Sequence, residues 1–397
     1  MTKEKYLRIG THIYKEVEKP LPSGKTVSTL MQWSYETLRQ DYGKEYIGSI
    51  PKYDGFCIIP SHLDYKKEIG TFLNLYEPLS HTPEEGDCPA ILSFIEHIFH
   101  EHYELGLDYI QLLYTNPTIK LPVLLLVSTE RNTGKSTFLN LLKAIFGKNM
   151  TFNTNEDFRS QFNTDWINKL IIGVDETLLN RIEDTERIKN LSTSFSHKVE
   201  GKGKDRAEVE FFGKFIFCSN NENNAIYVET GETRFWVRKV TPFEKDDPMF
   251  LSKLIKEIPA FLHFLKSRTL STEKESRMWF RHDLLQTDAL KRMISYNRSK
   301  IECELRDIIF EVMESQKIDH FEFCIKDLIS LFGPGAIRVD QQQLKKVVQS
   351  IWNLEPKVNN SYPYVTYQYD FYAESGYTLV KRKGRYYSIS KEKLSSF

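Results

Sequence analysis

Five consecutive apolar residues, Val123-Leu124-Leu125-Leu126-Val127, constrain this chain more than any other stretch. A strand wet on one face alternates apolar with polar residues. An unbroken short run needs cover on both faces, as in the middle of a parallel sheet. The next ten residues narrow the choice. Residues 128–137 read Ser-Thr-Glu-Arg-Asn-Thr-Gly-Lys-Ser-Thr, and across 138–146 the apolar residues return at helical spacing. A buried strand, a tight loop ending in Gly-Lys-Ser-Thr and a helix form a phosphate cradle, because loop amides and the helix N-terminus aim their donors at one point. Thr129, Glu130, Arg131, Asn132, Thr133, Gly134, Lys135, Ser136 and Thr137 are therefore the expected nucleotide-binding residues. In this reading Lys135 brings a positive charge to the phosphates of ATP, and the Ser136 hydroxyl ligates Mg²⁺. A Gly-Lys-Ser triplet alone is weak evidence; the flanking strand and helix carry the argument. Thr129 stands where the motif usually has its first glycine, ahead of the tightest part of the loop, where extended backbone suffices.

Further short apolar segments alternate with helices, which is the pattern of a parallel α/β sheet. Strands are expected at 123–127, 151–153, 169–174, 214–219 and 234–240, with a closing helix at 259–266. The third ends Val174-Asp175-Glu176. Behind a phosphate loop, Asp175 is expected to hold Mg²⁺ through water and Glu176 to polarise the attacking water; otherwise the pair is an acidic turn after a core strand. The fourth ends in Asn220, placed to position water against the γ-phosphate or else a plain turn asparagine. Arg234 opens the last strand. It is either a surface ion-pair residue or a finger that reaches the nucleotide of a neighbouring subunit.

Together these residues resemble the superfamily 3 helicases of viruses, phages and mobile elements, and more closely the helicase part of phage and plasmid primase-helicase proteins of a Bacteroidetes phage type. The Asn-x-Gly-Lys-Ser form at Asn132 to Ser136 is favoured in that superfamily, as is the order of phosphate loop, acidic strand, basic segment, strand ending in Asn, then Arg. The resemblance covers about residues 70–280 with specific motifs. It implies a P-loop NTPase with an AAA+-like core, a homo-oligomeric ring (usually a hexamer), nucleotide sites between subunits and 3′-to-5′ tracking on single-stranded DNA. It also implies that the basic segment after the acidic strand lines a DNA channel, which makes Lys198, Lys202, Lys204 and Arg206 candidates. A solvated hairpin tip is the bland alternative. The expected function is thus an ATP-dependent DNA helicase acting on single-stranded or forked DNA during replication of a phage or mobile element. The alternatives are an ATP-driven assembly factor or switch without unwinding, and a non-catalytic DNA-binding scaffold, against which Lys135, Asp175 and Glu176 argue. Residues 1–90 carry no Asp-x-Asp pattern of a polymerising primase, so any priming would fall to a separate chain.

The remainder divides, on pattern, into an N-terminal α+β region (1–85), a helical lead-in (86–118), the motor (119–275) and a C-terminal part (276–397). In the first, residues 6–15, a Pro20-to-Gly24 turn and 26–33 suggest a hairpin running into a helix. In the last, three helices are expected at 301–317, 323–332 and 341–351. A hairpin comes next, with 377–380 and 385–389 as its arms and Lys381-Arg382-Lys383-Gly384 as a cationic tip. This suggests a winged-helix-like module in which Lys381, Arg382, Lys383 and Arg385 touch DNA, or else a protein-interaction domain. His97, His100 and His102 read as ordinary surface histidines rather than metal ligands. The 54 basic and 54 acidic residues cancel, so any nucleic-acid contact must come from local clusters. The 5 cysteines form no CxxC pair, which argues against a zinc ribbon or disulfide framework. Neither a signal-like N-terminus nor a run of roughly 20 apolar residues is found. The expectation is the cytoplasm of a bacterial host, with no membrane partner.

Overall fold

The computed structural model describes residues 5–395, apart from 23, 25, 161–162, 180, 200–206, 229–230, 333–338, 359 and 374. The chain opens with β1 (Lys5–Ile9), β2 (His12–Pro20), β3 (Thr26–Trp33), α1 (Tyr35–Gly48) and β4 (Lys52–Tyr53). The stretch expected as one strand over 6–15 is two: Gly10, at φ +54°, turns the chain back, so β1 pairs antiparallel with β2. The resulting sheet has the order β3-β2-β1-β4 and packs Tyr6 and Ile13 against Leu38 and Ile47 of α1. A smaller sheet of β5 (Gly55–Cys57), β6 (Glu68–Ile69) and β7 (Phe72–Asn74) leads to α2 (Pro89–Phe99) and α3 (Tyr103–Thr115).

Next come β8 (Val123–Val127), α4 (Lys135–Phe146), β9 (Met150–Phe152), β10 (Ile171–Val174), α5 (Ile182–Thr193), the hairpin strands β11 (Ser196–Val199) and β12 (Ala207–Glu210), then β13 (Lys214–Ser219), β14 (Phe235–Lys239) and α6 (Phe250–Ser267). β14-β8-β13-β10-β9 form one 5-stranded sheet, parallel throughout. Both faces are covered, as the unbroken apolar strands require. Leu124, Leu126, Ile216 and Trp236 enter a core with α2, α3, α4 and α6. Their alternates Val123, Leu125, Phe217 and Val237 enter a second core with Ile188 and Leu191 of α5. The segment expected to lead into the motor is thus part of its first core.

The C-terminal part comprises α7 (Asp288–Gln316), β15 (His320–Phe323), α8 (Ile325–Leu331), α9 (Gln341–Lys346, continued by a wider turn to Ile351), β16 (Tyr362–Tyr369), β17 (Tyr377–Gly384), β18 (Tyr387–Ser390) and α10 (Lys391–Ser395). α7 is longer than the helix expected at 301–317. Its first turns place Leu290 and Met293 in the second core of the five-stranded sheet, and its later turns place Leu305 and Ile309 in a separate C-terminal core. The expected cationic hairpin tip is corrected. The hairpin is β16–β17, with Val365 opposite Lys381 and Pro363 opposite Lys383, so the cationic run lies within a strand at the end far from the turn. Tyr362–Tyr369 supplies the partner strand because its aromatic residues bury against β15: Tyr367 stacks on Phe321. β18 leaves the hairpin to pair with β15. No helix among the described residues is long and apolar enough to cross a membrane.

Candidate functional site

The loop between β8 and α4 turns through left-handed backbone at Asn132 (φ +54°) and Gly134 (φ +85°). Asparagine tolerates that region better than most residues, and glycine enters it without steric cost. Gly134 is held to glycine twice over, since a Cβ there would lie 2.9 Å from ring carbons of Phe94 and Phe243. Thr129 keeps a negative φ, so the departure from glycine costs the loop nothing. Its N–H donates to Glu222 Oε1 at 3.0 Å. Burial acts to raise the Glu222 pKa, but the Lys239 ammonium and the Thr129 N–H outweigh it and hold the carboxyl below its usual range. Lys135, first residue of α4, is buried; its Nζ donates to Thr133 Oγ1 at 3.0 Å and to Ser128 O at 3.5 Å. Burial pulls its pKa down, opposed by Asp175 and Glu222 among its neighbours. Ser136 is exposed at the start of α4.

Because the strands are parallel, their C-terminal ends share one edge. β13 lies between β8 and β10, so Asn220 falls between the loop and the carboxylates Asp175 and Glu176. All three side chains are exposed. Strand ends are tied together beneath them: Ser128 N–H donates to Ser219 O, Thr177 N–H to Cys218 O, and Ser219 Oγ to Thr177 O. Glu176 sits at φ +58°, a conformation that costs an L-residue about 1–2 kcal/mol. Asn155, which the sequence reading passed over, brackets that turn. Its Nδ2 donates to Glu176 O at 3.3 Å, and its Oδ1 accepts from Leu178 N–H at 3.0 Å. The oxygen donors Ser136 and Asp175 are few, which suits Mg²⁺ carried on phosphate oxygens rather than caged by protein. Among the described residues no cluster of three or more His, Cys, Asp or Glu offers such a cage.

A pocket of about 350 Å³ opens beside the loop, between Asn132 and Thr137 on one side and Phe243, Asp246, Pro248 and Phe250 on the other. That volume is at the small end of organic-ligand pockets, roughly 300–1,000 Å³. The far wall comes from the segment after β14, which the motifs did not flag. Phe243 N–H donates to Asn132 O at 2.8 Å, a contact no linear pattern announces. His97 is half-buried, not a plain surface histidine. It stacks on Phe243 with ring centroids 4.1 Å apart, and its Nε2 lies 3.1 Å from Thr133 O. Burial lowers its pKa, and the ring braces the loop from behind.

Other expected site residues lie elsewhere. Arg234 precedes β14 and so sits at the N-terminal edge of the sheet, a strand length of roughly 17 Å from the loop edge. There its Nη1 is 3.2 Å from Glu232 Oε1, and Glu232 also meets Lys189 at 3.0 Å. Lys198 is exposed on β11; Lys202, Lys204 and Arg206 lie outside the described residues. Lys381 and Lys383 are exposed on β17, whereas Arg382 turns back to Asp327 at 3.5 Å. Arg385 is exposed beyond the strand.

Residues 126–235, well under half of the chain, match a family described only as being of unknown function, DUF5906. Over 134 residues the chain is 29% identical to the DNA primase-polymerase of Nitratiruptor phage NrS-1, covering 32% of this chain and 18% of that protein. The match thus spans under a fifth of that relative. Among solved structures, the apo C-terminal region (305–718) of NrS-1 superposes with a TM-score of 0.57 at 19% identity, over 78% of this chain and 76% of that one. Its A-form apo structure gives 0.57 at 18%, over 89% and 84%. At such identity the likeness is one of fold.

Proposed function

We propose that this chain is the ATP-hydrolysing motor of a replication helicase of superfamily 3 type, serving a phage or mobile element in the cytoplasm of its host. One observation carries the reading: β13 is inserted between β8 and β10, which lines up the 128–137 loop, Asn220 and the Asp175–Glu176 pair on one edge of an AAA+-like sheet. Lys135 and the loop amides would bind the phosphates, Ser136 and Asp175 would hold Mg²⁺, Glu176 would take the proton of the attacking water and Asn220 would orient it. Bound Mg²⁺ supplies neutralising charge to the phosphates. Arg234, facing away from its own loop, suits a finger offered to the next subunit of a ring. Lys198, with Lys202, Lys204 and Arg206, would face single-stranded DNA, and the likeness to a primase-polymerase suits work alongside a primase activity. The C-terminal order α7-β15-α8-α9-β16-β17 supports reading this part as a winged-helix-like module that would dock on DNA.

Single-stranded DNA is expected to stimulate ATP hydrolysis, and a tailed duplex to be unwound. Lys135→Ala is expected to lower hydrolysis by about 10²–10³-fold, the usual effect of losing one preorganised charge partner. Hydrolysis without any unwinding would shift the reading to an ATP-driven assembly factor. Wild-type protein that retains no labelled nucleotide would sink it.

A further inference from the structure

The structure disperses the linear run of cations at 381–385 and gathers a different set. Lys326 on α8, Lys345 on α9 and Arg385 between β17 and β18 line one pocket of about 340 Å³, together with Gln341, Gln349 and Tyr387. All three cations are exposed, and among the described residues no carboxylate lines the pocket. The neighbouring acid, Asp327, is turned inward, accepting from Cys324 N–H at 2.7 Å and Tyr364 Oη at 2.6 Å and meeting Arg382. Gln341, Lys345 and Gln349 recur every four residues and so share a face, while Leu344, Val347 and Val348 face the core. Tyr387 Oη accepts from Gln349 Nε2 at 2.7 Å, which fixes the pocket's floor. Like charges gathered without a counter-charge repel, and a polyanion relieves that cost. Positive charge also continues along the chain beside the pocket, since Lys381 and Lys383 are exposed on the strand that leads to Arg385. A single phosphate would not need that extension; a repeating one uses it.

We propose that this pocket is a binding site for the phosphodiester backbone of nucleic acid, held by Lys326, Lys345 and Arg385 with the Gln341 amide at its rim. The proposal rests on the reading of the chain as a nucleic-acid motor and extends it to Lys326 and Lys345, which lie outside every motif. The test uses the full chain without nucleotide and follows the anisotropy of a fluorescein-labelled tailed duplex across a salt series. Each lost duplex phosphate contact is expected to flatten the slope of log affinity against log salt by about 0.9. The double variant Lys326→Ala/Lys345→Ala should therefore lose roughly 1.8 of slope, and Arg385→Gln about half that. Both should keep wild-type melting and basal hydrolysis. Wild-type affinity and slope in both variants would overturn the proposal. Displacement of the oligonucleotide by poly-glutamate at matched charge, or by inorganic phosphate at matched ionic strength, would also overturn it by assigning the pocket to an acidic protein or a free anion. Lys135→Ala is expected to leave this readout unmoved, so the motor reading and this site fail separately.

Discussion

At the C-terminal edge of the five-stranded sheet, Ser136, Asp175, Glu176 and Asn220 stand exposed, and left-handed backbone is assigned to Asn132 and Glu176 as well as to glycine. At the N-terminal edge of the same sheet, charge is buried and paired. Lys214, fully buried, donates to Pro117 O and Phe212 O; Lys120 Nζ donates to Phe211 O at 2.6 Å; Glu232 holds Lys189. Gly231 takes the left-handed turn there at no steric cost. The two edges use similar residue types for opposite ends. Polar groups paired off inside the fold hold it together, whereas those left open on a strained frame are the ones proposed to meet nucleotide.

The difference is breakable, and the largest effect should come from the open edge. Glu176→Gln is expected to slow ATP hydrolysis by about 10²–10⁴-fold, the range for loss of a general base, while nucleotide binding and the melting temperature hold. A drop in stability instead would make Glu176 a structural residue like Glu232. At the paired edge the expectation reverses. Glu232→Gln leaves Lys189, only 4% exposed, with the more exposed Glu186 as its remaining carboxylate partner, and should cost about 1–3 kcal/mol in denaturant unfolding. Loss of hydrolysis with unchanged unfolding would undo the contrast. Asn155→Ala releases the bracket around Glu176 and should lower turnover up to about tenfold, the effect of loosening one oriented group by ~1.4 kcal/mol, with little change in global stability.

A further effect concerns pH. Burial pulls the Lys120 pKa down to about 8, below its unfolded value of about 10.4. Between those values the unfolded chain binds more protons than the folded one, so stability should rise as pH climbs from about 8. Lys214 shifts in the same direction, from burial and the nearby Lys120 charge. Melting scans of wild type and Lys120→Met through this window should show a shallower rise in the variant. Identical slopes would mean that the ammonium is solvated.

Much of the five-stranded core was legible in sequence because its strands are apolar throughout and its loop, Asp175–Glu176 and Asn220 are contiguous with them. β8 and β13 have the expected bounds, and β9, β10 and β14 differ by a residue or two at their ends. The C-terminal hairpin was misread. Lys381-Arg382-Lys383-Gly384 looks like a turn by composition, yet Tyr362–Tyr369 pairs with it as a strand, a long-range register that no local pattern encodes.

The sequence by itself determined which segments are buried strands and which chemistry sits at the end of each. That information is local, written in side-chain polarity and the left-handed demands of Asn132 and Gly134. Only the tertiary structure decided that β13 comes between β8 and β10, that Arg234 faces away from its own loop, that Phe243 and His97 brace it, and that Arg385 keeps company with Lys326 and Lys345. Those facts depend on which strands pair and which faces meet. Pairing is settled by the burial of surfaces far apart in the chain, and the order of residues alone does not state it.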